Sequence, residues 1–266
     1  MQKIKLKIGQ LCVRIILFLS RKAKIDLTGL GYVESGFLRS TSLEASGELN
    51  FIKNILGKQN ISKKPTFIDV GANVGDFTEL LAKNHPSASI HCFEPNPNTF
   101  QKLKENCQSI ATLVNGGIGE EEGNLKLYFS QDDKTSVQAS SNPEILTVIG
   151  KQENLTSIDI KVDTLDNYCA TNGIEEIDFL KIDIEGFELE ALRGAKGLLQ
   201  ENKVKLIQFE FNEVNIVKRR FLKDFYAELD GFDFFRLEEK KLIPLNHWQP
   251  KHEIFLFQNI LAVLRD

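Results

Sequence analysis

The sequence predicts an α/β fold. A mainly parallel sheet is covered by helices on both faces, closed by two strands that pair antiparallel, and preceded by a short helical extension. Three observations carry this. From Pro65 onward, short apolar runs alternate with segments whose apolar residues recur every three to four positions. Repeated β-α units of that kind bury a parallel sheet on both sides. The last two apolar runs, 232–237 and 254–263, have no helix between them, so they should pair antiparallel. The chain is 42% hydrophobic and 26% charged, which supplies a full core and excludes a disordered polymer.

The elements follow in order. Residues 1–60 read as a helical extension with loops. Ile4, Ile8, Leu11, Cys12, Ile15, Phe18 and Leu19 share one helical face. A glycine-containing stretch, 27–36, breaks that pattern, and 47–56 forms a second short helix. Residues 61–266 form one domain. Its first strand is 66–70 and its first helix 76–84, with Phe77, Leu80 and Leu81 inward. A strand at 89–93 leads through Pro95-Asn96-Pro97 into a helix at 98–106. Strands at 111–115 and 125–129 come next. Residues 130–156 are polar and show no period, and so long a loop in a compact domain usually serves function. The alternation resumes with strand 158–162, helix 165–171, strand 179–182, helix 188–199, strand 205–211 and helix 216–229.

Charge divides the chain. The total is −4, from Lys+Arg 33 against Asp+Glu 37. Such a balance lacks the basic excess of a nucleic-acid binder, and no nucleic-acid partner is expected. Residues 1–25 nevertheless carry seven cations and no acid, leaving −11 on the remainder. A basic amphipathic segment of this kind either lies on an anionic membrane surface or packs on the domain or a partner subunit. Its apolar stretch, 11–19, is interrupted by Arg14 and falls short of the ~20 residues a spanning helix needs. Ser20-Arg21-Lys22 follows it in place of a small-residue cleavage site. Cys12, Cys92, Cys107 and Cys169 form no CxxC pair and read as reduced thiols. The expected location is cytoplasmic, with peripheral membrane contact through residues 1–25 as an option.

Ligands of parallel sheets bind beyond the carboxyl ends of the strands, so motifs at strand ends matter most. The first is Asp69-Val70-Gly71-Ala72-Asn73-Val74-Gly75. Its glycines permit a tight turn and close approach of a ligand. Asn73 stands where a G-x-G-x-x-G dinucleotide fingerprint would require glycine. That favours S-adenosylmethionine over NAD. The second is Phe93-Glu94-Pro95, with Glu94 placed 19 residues after Gly75 to accept hydrogen bonds from ribose hydroxyls. The third is Lys181-Ile182-Asp183-Ile184-Glu185-Gly186, which packs charges at the end of an apolar strand. Such charges are costly unless paired. Lys181 should pair with Asp183 or with Glu210 on the next strand, while Asp183 lies at the mouth of the sheet.

Together with Val162-Asp163-Thr164-Leu165-Asp166 and Leu192-Arg193-Gly194-Ala195, these motifs resemble the FkbM family of S-adenosylmethionine-dependent methyltransferases across about residues 48–263. The resemblance implies a Rossmann-like class I methyltransferase sheet of seven mostly parallel strands, the last antiparallel. It implies S-adenosyl-L-methionine as cofactor, contacted by Asp69, Gly71, Asn73, Gly75 and Glu94, with Gly117 and Ile118 near the adenine. It implies O-methylation of a hydroxyl on a sugar, glycan or secondary metabolite.

Methyl transfer from a sulfonium requires a positioned nucleophile and a proton acceptor. Asp183 is the first choice for that base, with Glu185 and Glu210 next. Asp183, Glu210 and Asn212 offer oxygens suited to a hard cation such as Mg²⁺, but no spacing demands one and no metal is assigned. His85 and His91 read as structural. His247 and His252, flanking Trp248, read as parts of a surface loop. The polar segment 130–156 is expected to cover the acceptor. Two other readings stay open: a nucleotide-binding oxidoreductase or epimerase, and a catalytically inactive cofactor-binding module.

Overall fold

The computed structural model describes residues 2–37, 42–131 and 139–265, with backbone alone for residues 2–11. Residues 132–138 of the polar segment, and the side chains of Ile4, Ile8 and Leu11, therefore lie outside the described residues.

Helices α1 (Gln2–Ala23) and α2 (Leu27–Glu34) come first, then α3 (Glu48–Asn50), which runs on through π and 3₁₀ turns to Lys58. The order continues β1 (Thr66–Val70), α4 (Asp76–Asn84), β2 (Ser89–Phe93), α5 (Pro97–Cys107), β3 (Thr112–Val114), β4 (Gly117–Ile118), β5 (Gly123–Ser130), β6 (Leu155–Asp163) and α6 (Leu165–Asn172). Then come β7 (Phe179–Ile182), α7 (Glu188–Arg193), α8 (Lys196–Gln200), β8 (Leu206–Phe211), α9 (Val214–Lys218), α10 (Leu222–Glu228), β9 (Phe232–Leu237), β10 (Leu242–Pro244) and β11 (Gln258–Leu264).

The main sheet has the order β10-β9-β11-β8-β7-β1-β2-β3. Strands β8, β7, β1, β2 and β3 are parallel, and β11 runs antiparallel to both β8 and β9, as the missing crossover helix requires. The sheet has eight strands rather than seven because Leu242–Pro244 turns back along β9 at the edge. Three residues carry too little pattern to read as a strand. A second sheet, β4-β6-β5, is built from the chain between 117 and 163, with β5 and β6 antiparallel from Gly123↔Val162 to Ser130↔Leu155. Within the polar segment, residues 145–149 form a π turn that buries Ile145 and Leu146.

Alternation divides the main sheet into two faces. Ile68, Val70, Leu180, Ile182, Ile207 and Phe209 join one core with α6, α7 and α10. Phe67, Phe179 and Leu206 join the other with Phe51, Ile52, Leu56, Phe77 and Leu81. Phe51, Phe67 and Phe179 are fully buried. Each such ring contributes roughly 2–3 kcal/mol by leaving water.

Two helices read as continuous are broken. The 188–199 segment divides at Gly194, where a Cβ would lie 2.0 Å from the Gly119 carbonyl oxygen. Asp166 then caps the new helix, accepting from the backbone N–H of Gly197 at 2.7 Å and of Leu198 at 2.9 Å. The 216–229 segment divides at Arg219, whose φ is +53°.

In this sheet β1 is flanked by β2 on one side and β7 on the other. Their carboxyl ends frame the switch point at which open α/β sheets bind ligands.

Candidate active site

The loop after β1 begins at Gly71, with φ +88°. The N–H groups of Gly71 and Ala72 both donate to the Phe93 carbonyl at 2.9 Å. A Cβ at Gly71 would stand 1.9 Å from the Asp183 carbonyl oxygen. The backbones after β1 and β7 therefore touch, and only glycine lets them do so. Asn73 is left-handed at φ +50°, and its N–H donates to Glu94 Oε2 at 3.1 Å. The Asn96 N–H donates to Glu94 Oε1 at 2.8 Å. Two backbone donors thus fix the Glu94 carboxyl at the end of β2. Burial still pushes it up to about 7, against the effect of those two bonds.

One cleft receives most of the residues singled out from the sequence. Gly71, Asn73, Glu94, Gly117, Ile118, Asp183 and Glu185 all line it. Leu125, Leu127, Ile160 and Val162 of the second sheet also line it, and their part in the cleft is not read from the strands expected at 125–129 and 158–162. These residues sit on β5 and β6, and apart from Val162, which opens the Val162-Asp163-Thr164-Leu165-Asp166 motif, their only sequence signal is the alternation of those strands. Ser140 and Ser141 also line the cleft. Ser140 Oγ donates to the Glu185 carbonyl at 3.1 Å, tying the polar segment to the turn after β7.

That turn is tightly held. Glu185 adopts φ +51° and Gly186 φ +96°, conformations that need surrounding support. Glu188 supplies it: its Oε1 accepts from the N–H of Ile184 at 3.2 Å and of Gly186 at 3.0 Å. Lys181 Nζ bonds Asp183 Oδ2 at 2.9 Å and lies 4.0 Å from Asp69 Oδ1. Burial acts to lower the Lys181 ammonium, but Asp183, Asp69 and Glu48 outweigh it and hold it above its ordinary value. Burial, then Asp183, Glu188 and Glu213, push the Glu185 carboxyl up to about 8. Burial pushes Glu188 up to about 7 and Glu210 well above the carboxylate range, the latter with Asp183 and Glu185 adding to the effect.

Other residues singled out from the sequence stand outside the cleft lining. Asp69 is fully buried within the sheet and accepts from Thr78 Oγ1 at 2.8 Å. Gly75, at φ +102°, begins α4, where a Cβ would meet Cys107 Sγ at 2.4 Å. Glu210 accepts from Asn212 Nδ2 at 2.7 Å. His91 Nδ1 pairs with the Tyr168 hydroxyl at 2.9 Å. His247 and Trp248 border a separate surface groove with Tyr226 and Asp233. Among the described residues, no group of three His, Cys, Asp or Glu side chains is arranged to hold a metal ion.

A mostly parallel sheet with an antiparallel β11 and a cleft at the carboxyl ends of β1, β2 and β7 is the Rossmann-like class I methyltransferase architecture. The chain belongs to the FkbM methyltransferase family: residues 69–260 match the Methyltransferase FkbM domain. It is 29% identical over 160 residues to Methyltransferase sdnD of Sordaria araneosa, covering 51% of this chain and 62% of that one. It is 24% identical over 161 residues to the 2-O-methyltransferase NoeI of Sinorhizobium fredii, covering 56% and 64%. It is 23% identical over 185 residues to the hexuronic acid methyltransferase AglP of Haloferax volcanii, covering 65% and 71%. The chain thus spans less than two thirds of the length of the first two.

Proposed function

We propose that this chain is an S-adenosylmethionine-dependent O-methyltransferase whose acceptor is a hydroxyl on a sugar, glycan or secondary metabolite. The observation that carries this reading is a single cleft with Glu94 at one side, an apolar slot above it, and Asp183 at the other side against Gly71. The names of the relatives NoeI and AglP, a 2-O-methyltransferase and a hexuronic acid methyltransferase, support a hydroxylated acceptor.

The residues fit the cofactor. Ile118, Leu125, Leu127, Ile160 and Val162 offer an apolar lining to a purine. Each Glu94 oxygen already holds one backbone N–H, and a second lone pair remains for a ribose hydroxyl. Among the described residues, Asn73 Oδ1 is buried without a partner and awaits a donor. Asp69 acts indirectly, by fixing Thr78 and countering Lys181. S-adenosylmethionine supplies an electrophilic methyl group on a sulfonium cation. The chain's task is to place an acceptor oxygen in line and to take its proton. Asp183 is the proton acceptor, with Oδ2 held by Lys181 and Oδ1 left for the acceptor. Glu185 keeps its proton near neutral pH and orients the acceptor as a donor. Glu210 stays neutral beside them, because so many close carboxyls do not ionise together.

Calorimetry with S-adenosylhomocysteine, followed by mass spectrometry of a hydroxylated acceptor panel, tests the proposal. Binding together with a one-methyl mass gain is expected. No binding would refute the proposal, and binding without transfer to any panel member would favour the inactive-module reading.

A further inference from the structure

The N-terminal arm is built unlike the rest of the chain. Among the described residues of α1 only Ser20 is buried, and α2 buries none. Val13, Ile15, Ile16, Leu17, Phe18 and Leu19 are all exposed, with Phe18 at 60%. Ile25, Leu30 and Val33 continue the exposed apolar surface through α2. Soluble surfaces rarely leave so many contiguous large apolar side chains in water.

The arm is moored at its far end. Phe37 is buried, with the Arg236 guanidinium 3.7 Å above its ring. Arg236 also donates to the Ser35 carbonyl at 2.8 Å and to Gln258 at 2.8 Å. The catalytic domain therefore grips residues 35–37 and leaves α1 and α2 outside its core.

Charge decides what covers this surface. Residues 1–25 hold seven cations and no acid. Arg14 and Arg21 lie seven residues apart, hence on one side of the helix, next to the side carrying Ile15, Phe18 and Leu19. A second copy of the chain would set identical cations against each other across a twofold axis. An anionic lipid surface instead receives the cations at its headgroups and the apolar side chains below them. Among the described residues, no helix is long and apolar enough to cross a membrane.

We propose that α1 and α2 form a seat for an anionic lipid bilayer, which holds the catalytic domain at a membrane surface through Phe37 and Arg236. The seat lies outside the cleft and does not depend on the reaction assigned to it.

The test is co-sedimentation of the full chain with phosphatidylcholine vesicles with and without phosphatidylglycerol. The chain should pellet only with the anionic vesicles and be released by salt. Arg14→Gln with Arg21→Gln should weaken binding roughly 25-fold, at about fivefold per lost charge. Phe18→Ser with Leu19→Ser should also release the chain. Both pairs are exposed, so S-adenosylhomocysteine binding should be unchanged and would certify folding. Absence of pelleting with anionic vesicles, equal pelleting with neutral ones, or full binding by both variants would overturn the proposal. So would a stable dimer in light scattering that Phe18→Ser with Leu19→Ser converts to monomer, since a second copy would then occupy the face.

Discussion

Lys181 Nζ lies 2.9 Å from Asp183 Oδ2, on a side chain only 7% exposed, while Asp183 keeps 40% of its side chain open. The buried cation and the open carboxylate form one unit. Lys181 is anchored among Asp69, Asp183 and Glu48 behind the cleft, and Asp183 carries that arrangement to the cleft lining.

Asp183→Asn keeps the shape of the side chain and removes its ability to take a proton. Turnover should fall by about 10²–10⁴, the usual contribution of a general base. S-adenosylhomocysteine affinity, read by calorimetry, should change only a few-fold. Turnover within a few-fold of the parent would remove Asp183 from the role of base.

Glu94→Gln should act on the cofactor instead. Hydrogen bonds to a charged group contribute about 1.5–3 kcal/mol, so S-adenosylhomocysteine should bind roughly 10–100-fold more weakly. Unchanged affinity in calorimetry would show that Glu94 serves only the backbone of Asn73 and Asn96.

Gly71 and Gly173 both have positive φ, at +88° and +67°, but a Cβ at Gly71 meets the Asp183 carbonyl at 1.9 Å and one at Gly173 meets nothing within 4 Å. Gly173→Ala should therefore cost only about 1–2 kcal/mol from the left-handed backbone. Gly71→Ala must also part the two loops and should lose cofactor binding as well as more stability. Thermal melts and calorimetry compare them, and equal losses would contradict the backbone contact.

Glu185, pushed up to about 8, gives stability a defined pH dependence. Its folded pKa is above its unfolded one, so the folded state binds the extra proton. The contribution is complete below the ordinary carboxylate range and is lost as pH rises to about 8. His91, lowered by burial, has the opposite sign below its ordinary range. The difference between parent and Glu185→Gln isolates the glutamate. The parent's melting temperature should fall relative to the variant's between roughly pH 5 and pH 8. Parallel curves would show that Glu185 is not held protonated.

Ser140 ties the polar 130–156 segment to Glu185. Limited proteolysis should cut that segment more slowly once cofactor and acceptor are bound. Cleavage unaffected by either ligand would count against a role in covering the acceptor.

Much of this was legible in the chain itself. The alternation of strands and helices, the glycine turn after β1, Glu94 at the end of β2 and Asp183 at the end of β7 all follow from local periodicity and from residue types at strand ends. Residues this local constrain only their own segment, and they were placed correctly because parallel sheets bring their carboxyl ends together. The antiparallel return of β11 came from the absence of a crossover helix. The tertiary structure decided what depends on distant partners. It set Asp69 behind the cleft instead of in it, broke two helices at Gly194 and Arg219, and folded β5 and β6 over the cleft. It also left the described side chains of α1, all but Ser20, and those of α2 outside the core. None of these leaves a local signature, because each is fixed by which surfaces meet: a glycine faces a carbonyl, a carboxylate faces a buried lysine, and the described apolar side chains of α1 stay exposed.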